Sequence, residues 1–166
     1  MADTSPKILQ APTSPLWYHV TISAVLGLAL AFGYAFFVAS KDSLKAETVA
    51  AVCRAARVPL LQHRAEKGAW PEDFDFTKAP ESIQGYGFAA AVQPSVAKCT
   101  AVGTWRFTTN GPAGKGKPAL VFTAAEPGDG TLRLLTAVDA QLDDGRTTAG
   151  KFRADDQAGV FTLRDE

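Results

Sequence analysis

Residues 17–39, WYHVTISAVLGLALAFGYAFFVA, run for 23 positions without Asp, Glu, Lys or Arg. As an α-helix rising about 1.5 Å per residue, such a run spans about 35 Å. A hydrocarbon core about 30 Å thick takes about 20 apolar residues to cross. Trp17 and Tyr18 stand at one end, where aromatic rings favour the headgroup zone; Ser40, Lys41 and Asp42 close the other. The run reads as a single transmembrane helix, with the lipid bilayer as its first partner. A buried core helix is the competing reading, but the rest of the chain offers no second set of helices to bury it. A secretory signal peptide is another, although its apolar region is usually about 7–15 residues behind a basic start. This run is longer and has only Lys7 ahead of it, while Val38-Ala39-Ser40 leaves a small-residue cleavage pattern in place.

The chain has 166 residues, enough for one modest soluble domain beside the anchor. Lys plus Arg and Asp plus Glu number 17 each. That balance gives no electrostatic footprint for nucleic acid and no polybasic membrane patch. Orientation is weakly marked, since Lys7 on one flank faces Lys41 and Lys45 on the other.

Residues 1–16 carry three prolines, two serines and two threonines and read as a disordered tail. Residues 17–39 are the span. Helical patterning then continues through 40–67, where Val49, Val52, Cys53, Ala56, Leu60 and His63 recur at steps of three and four. The other face carries charge, with Lys45, Glu47, Arg54, Arg57 and Glu66. Pro59 should disturb this helix without ending it, because the stripe resumes at Leu60. Gly68 is a natural stop, followed by Trp70-Pro71. Residues 68–166 are then expected to form, with 40–67, an exported head. Strands are expected over 85–92, 103–109, 119–125, 131–138 and 160–163, separated by Pro-, Gly- and Asp-rich turns. The fold class is α+β: a long N-terminal helix, transmembrane then amphipathic, packed on a small antiparallel β-sheet.

Chemistry is sparse. Gly111-Pro-Ala-Gly-Lys-Gly-Lys117 meets the first seven places of a phosphate-binding loop, but Pro118 stands where Ser or Thr should hold Mg²⁺. The segment also joins strand to strand, so it reads as a hairpin loop and no nucleotide is expected. His19 and His63 lie on different parts of one helix and cannot meet a common substrate. No nucleophile has a base at motif spacing, so no enzyme activity and no cofactor are expected. Cys53 and Cys99 form no metal motif. In an oxidising compartment they could pair as a disulfide; in a reducing one they would be two buried thiols.

Asp139, Asp143, Asp144, Asp155 and Asp156 form the one dense constellation. Hard oxygen ligands at Asp139, Asp143 and Asp144 could hold calcium. The spacing is not that of an EF-hand, however, and Arg146, Lys151 and Arg153 interleave. The sequence therefore favours a structural turn at Asp143, Asp144 and Gly145 over a metal.

The order of parts resembles a type IV pilin or type II secretion pseudopilin. The helix exit LLQHRAEKGAWPEDF, residues 60–74, is similar to that family's helix, Gly, aromatic and Pro sequence. Within residues 137–156, Asp139, Leu142, Asp143, Asp144 and Gly145 resemble its D-x-x-L-D-D-G run. Thr148, Gly150 and Arg153 follow as a loose T-G-x-x-R, with Ala149 inserted. The resemblance implies a bacterial inner-membrane protein with its N-terminus cytoplasmic and its head periplasmic. Pilin or secretion-system proteins would be its partners, in a type IV pilus or type II secretion machine. The usual prepilin cleavage motif is missing: no Gly precedes the apolar run and no Glu lies inside it. That argues against processing by prepilin peptidase. It also leaves open a second reading, an anchored extracytoplasmic binding module with no filament role.

Overall fold

The computed structural model describes residues 15–111, 114 and 116–163. The expected N-terminal tail lies almost wholly outside them. The described residues up to Ala39 form one unit and those from Ser40 a second.

Helix α1 runs from Pro15 to Lys67 without a break. It is the one helix among the described residues that is long and apolar enough to cross a membrane. In the first unit it exposes Leu16, Trp17, Leu30, Phe32 and Phe36, and no part of its apolar window is buried by protein. So much contiguous apolar surface suits lipid, not water.

In the second unit α1 is amphipathic. Val49, Val52, Cys53, Ala56, Leu60 and His63 are all buried, joined by Ala46 and Ala50. Pro59 sits inside the helix; it lacks an N–H, so the Ala55 carbonyl loses its helical donor there. The helix ends where the Gly68 N–H bonds the Arg64 carbonyl at 2.9 Å.

The chain then forms β1 (Phe74–Asp75), a 3₁₀ turn (Phe76–Lys78), α2 (Glu81–Gln84) and α3 (Phe88–Cys99). After these come β2 (Gly103–Thr108), β3 (Ala119–Ala124), α4 (Asp129–Leu142), β4 (Phe152–Ala154) and β5 (Ala158–Thr162). The five strands form one antiparallel sheet in the order β1-β2-β3-β5-β4. The fold is α+β.

Paired residues on antiparallel strands share a face. Phe74, Phe107, Leu120, Phe161 and Phe152 are successive partners, so one apolar row crosses all five strands. Trp105 and Phe122 pair in the row beside it, their rings 5.1 Å apart. The alternate row, Asp75, Arg106, Val121, Val160 and Arg153, carries the charge. The inner row joins one hydrophobic core with Val49, Val52, Ala56 and Leu60 of α1, Phe88, Val92 and Val96 of α3, and Leu135 and Val138 of α4.

Two of the expected strands are helices. Residues 85–92 fall in a turn and the start of α3. Three consecutive alanines, Ala89–Ala91, favour helix, and Phe88, Val92, Val96 and Cys99 recur at helical steps. Pro94, expected in a turn, lies inside α3. Residues 131–138 lie within α4, whose buried Thr131, Leu134, Leu135, Val138 and Asp139 follow a 3.6-residue period. Strands β1 and β4 were not expected. Both are too short to show an alternating pattern.

Candidate functional site

Helix α4 sets the geometry of the acidic cluster. It begins after Glu126-Pro127-Gly128, where the Thr131 hydroxyl donates to the Glu126 carbonyl at 2.6 Å and Asp129 lies in the first turn. Fourteen residues later it ends at Leu142, with the Asp143 N–H bonded to the Asp139 carbonyl at 2.7 Å. Asp139 therefore stands one turn before Asp143. It also lies on the stripe that carries Leu135 and Val138 into the core.

The turn after Leu142 is held by carboxylates. Asp143 Oδ2 accepts hydrogen bonds from the Lys151 and Phe152 N–H groups, and Asp144 Oδ1 accepts from the Arg146 N–H at 2.9 Å. Gly145 has φ +78° and Gly150 φ +82°, both in the left-handed region. A Cβ at 150 would also collide with Asp143 Oδ2. Of the interleaved basic residues, Arg146 and Lys151 thus contribute backbone donors, and Phe152 enters β4 directly from this clasp.

Of the five aspartates, Asp139, Asp143 and Asp144 come together. One carboxylate oxygen from each lies within 4.8 Å of the others. Asp155 is elsewhere, its Oδ1 accepting the Gln157 and Ala158 N–H groups at the β4–β5 turn. Asp143 and Asp144 are exposed, whereas Asp139 has 0% of its surface exposed. Neither Asp139 oxygen has a hydrogen-bond partner among the described residues. Burial, then the charges of Asp144 and Asp143, push its carboxyl from 3.8 up to about 6. Buried carboxylates are normally paired or hydrogen-bonded, because desolvating the charge alone is costly.

Cys53 and Cys99 are free, buried thiols in this structure. Burial raises both above the ordinary thiol range, and for Cys53 the neighbouring charge of Cys99 adds to it. Thiols held so firmly protonated are poor nucleophiles and metal ligands. The Trp105 indole N–H draws Cys99 partly back, though it makes no hydrogen bond of standard geometry.

His63 is buried, with Nδ1 3.1 Å from the Ala69 carbonyl and its ring edge-on to Tyr86 at 5.4 Å. A carbonyl only accepts, so Nδ1 donates, and the ring ties the end of α1 to the loop after it. The glycine-rich segment joins β2 to β3. Its Gly111 N–H bonds the Lys117 carbonyl at 2.9 Å, and no helix begins there among the described residues. Residues 112, 113 and 115 of that segment lie outside the described residues. A hollow of about 320 Å³ is lined by Asp42, Lys45, Glu126, Thr131 and Arg133 among others. Its opposite charges balance and converge on no common point of chemistry.

One functional-looking cluster had no counterpart in the sequence reading. Asp73 Oδ2 accepts the Thr108 hydroxyl, and Oδ1 accepts both the N–H and the hydroxyl of Thr109, all at 2.7 Å. Partial burial works against ionisation, but these three hydrogen bonds and the Arg106 charge outweigh it and lower the carboxyl below 3.8. No local signal links residues 35 positions apart, so only the β1–β2 pairing reveals this clasp. Comparison with known proteins gives no further guide: no family model, no curated protein and no solved structure matches the chain.

Proposed function

We propose that this chain is a membrane-anchored structural or assembly protein with a pilin-like layout, single-pass, its α+β head on the extracytoplasmic side. The observation that carries this reading is α1: one unbroken helix whose apolar part exposes its side chains and whose later part buries a stripe in the head. An assembly subunit needs both a lipid-soluble stem and a folded head, and among the described residues no catalytic constellation competes with that role. The D-D-G turn supports the kinship, because each of its three residues has a physical task. Asp143 and Asp144 accept backbone donors, while Gly145 and Gly150 supply the left-handed turns.

The missing Gly and Glu around the apolar run favour a second reading, an anchored binding module outside any filament. The two separate on what the protein contacts. Site-specific photo-crosslinkers on the exposed faces of α3 and α4, in cells that carry a pilus or type II secretion system, should trap components of those machines. Adducts only with unrelated envelope proteins would favour the binding module. Extraction of the full-length chain by alkaline carbonate would remove the membrane anchor from either reading.

A further inference from the structure

We propose that Asp139, Asp143 and Asp144 form a calcium site at the C-terminal end of α4. Calcium is bound by oxygen ligands at about 2.3–2.6 Å, so two ligands on opposite sides of one ion are up to about 5 Å apart. The three carboxylates offer one oxygen each within 4.8 Å of one another, so a single ion can touch all three. Proximity of acidic groups is common on protein surfaces. What distinguishes this cluster is Asp139, which is fully buried, faces the other two carboxylates and has no hydrogen-bond partner for either oxygen. A divalent cation would supply the missing partner for both oxygens and offset the mutual repulsion of three carboxylates.

The surroundings also fix the ligands before any ion arrives. Amide donors of Lys151, Phe152 and Arg146 orient the carboxylates of Asp143 and Asp144, as outer-shell bonds do in metal sites. Asp139 is immobilised by its place in α4. The donor set is all oxygen, without imidazole or thiolate, which selects a hard cation over zinc or copper. Its irregular arrangement, one ligand on a helix and two on a turn, suits the flexible coordination of calcium better than the octahedron magnesium demands. Water would complete the shell on the side where Asp143 and Asp144 are exposed.

The test uses the full chain in detergent micelles, stripped with EDTA and then titrated with CaCl₂ or MgCl₂. Isothermal titration should give one calcium per chain, and the melting temperature should rise by about 5 °C or more at a hundredfold excess over Kd. Asp139→Asn should weaken calcium binding at least about tenfold. Asp144→Asn, at an exposed position, should do the same and serves if the first variant fails to fold. No binding heat and no melting shift up to about 10 mM calcium, beyond the weakest extracellular sites, would overturn the proposal. So would calcium affinity unchanged in Asp144→Asn, or a response to magnesium alone.

Discussion

At position 150 a single hydrogen atom keeps a clasp closed. Gly150 lies at φ +82°, and any larger side chain there would strike the Asp143 carboxylate that holds the Lys151 and Phe152 amides. Gly150→Ala is expected to destabilise the head by about 1–3 kcal/mol, combining backbone strain with loss of the Asp143 hydrogen bonds. Urea unfolding of the full-length chain in micelles would measure it. Asp73 offers a pH-linked counterpart. Its folded carboxyl lies below the ordinary 3.8, so the native state holds the ionised form more tightly than the unfolded chain does. The stabilisation is therefore complete above that ordinary value and is lost as pH falls through the lower, folded one. Asp73→Asn should flatten the acid limb of the stability profile below about pH 4 and leave its shape at neutral pH unchanged. Its cost at neutral pH should stay near 1 kcal/mol, because Asp73 is exposed and solvent screens it. Chemical denaturation at a series of pH values reads both effects. Of these residue-level devices, the D-D-G turn was legible because Asx and Gly chemistry is local. Asp139's isolation was not, because burial exists only once α4 has packed.

At the scale of elements, α4 shows where a sequence reading goes astray. Thr131, Leu132, Leu134, Leu135 and Val138 are dense enough in apolar and β-branched side chains to suggest a strand. The deciding signal was period: Thr131, Leu134, Leu135 and Val138 keep helical spacing, and between them Arg133 and Thr136 point outward. The same holds for α3, where three alanines outweighed the turn suggested by Gln93-Pro94. Strands β2, β3 and β5 were legible because each is a short apolar run bounded by turn residues. Leu135 is fully buried in α4, against Gly159 of β5. Leu135→Ala should therefore cost about 2–5 kcal/mol, whereas Leu132→Ala, on the partly exposed face, should cost under about 1 kcal/mol. The adjacent Leu134 and Leu135 are both buried, as the side of a helix allows, so Leu134→Ala should be costly as well. A strand with alternating faces would bury 131, 133 and 135 and make Arg133→Ala the severe change. Paired melting curves distinguish them.

For the molecule as a whole, the stem raises the question of assembly. A subunit whose apolar helix leaves the bilayer for a filament core needs a register-setting contact along that helix. No acidic side chain lies between Asp3 and Asp42 to make one. Expressed by itself, the full-length protein is expected to stay in the membrane fraction; sheared fibres containing it would contradict that. The sheet adds a constraint of its own. Its two edges are β1, of two residues, and β4, of three. Edges that short present too few free amides and carbonyls to template a neighbour's strand. Among the described residues, edges this short give the head little means of lengthening its sheet into another molecule. Recognition must be written in side chains, so substitutions on helices and turns, not on strand backbones, will decide which partner it keeps.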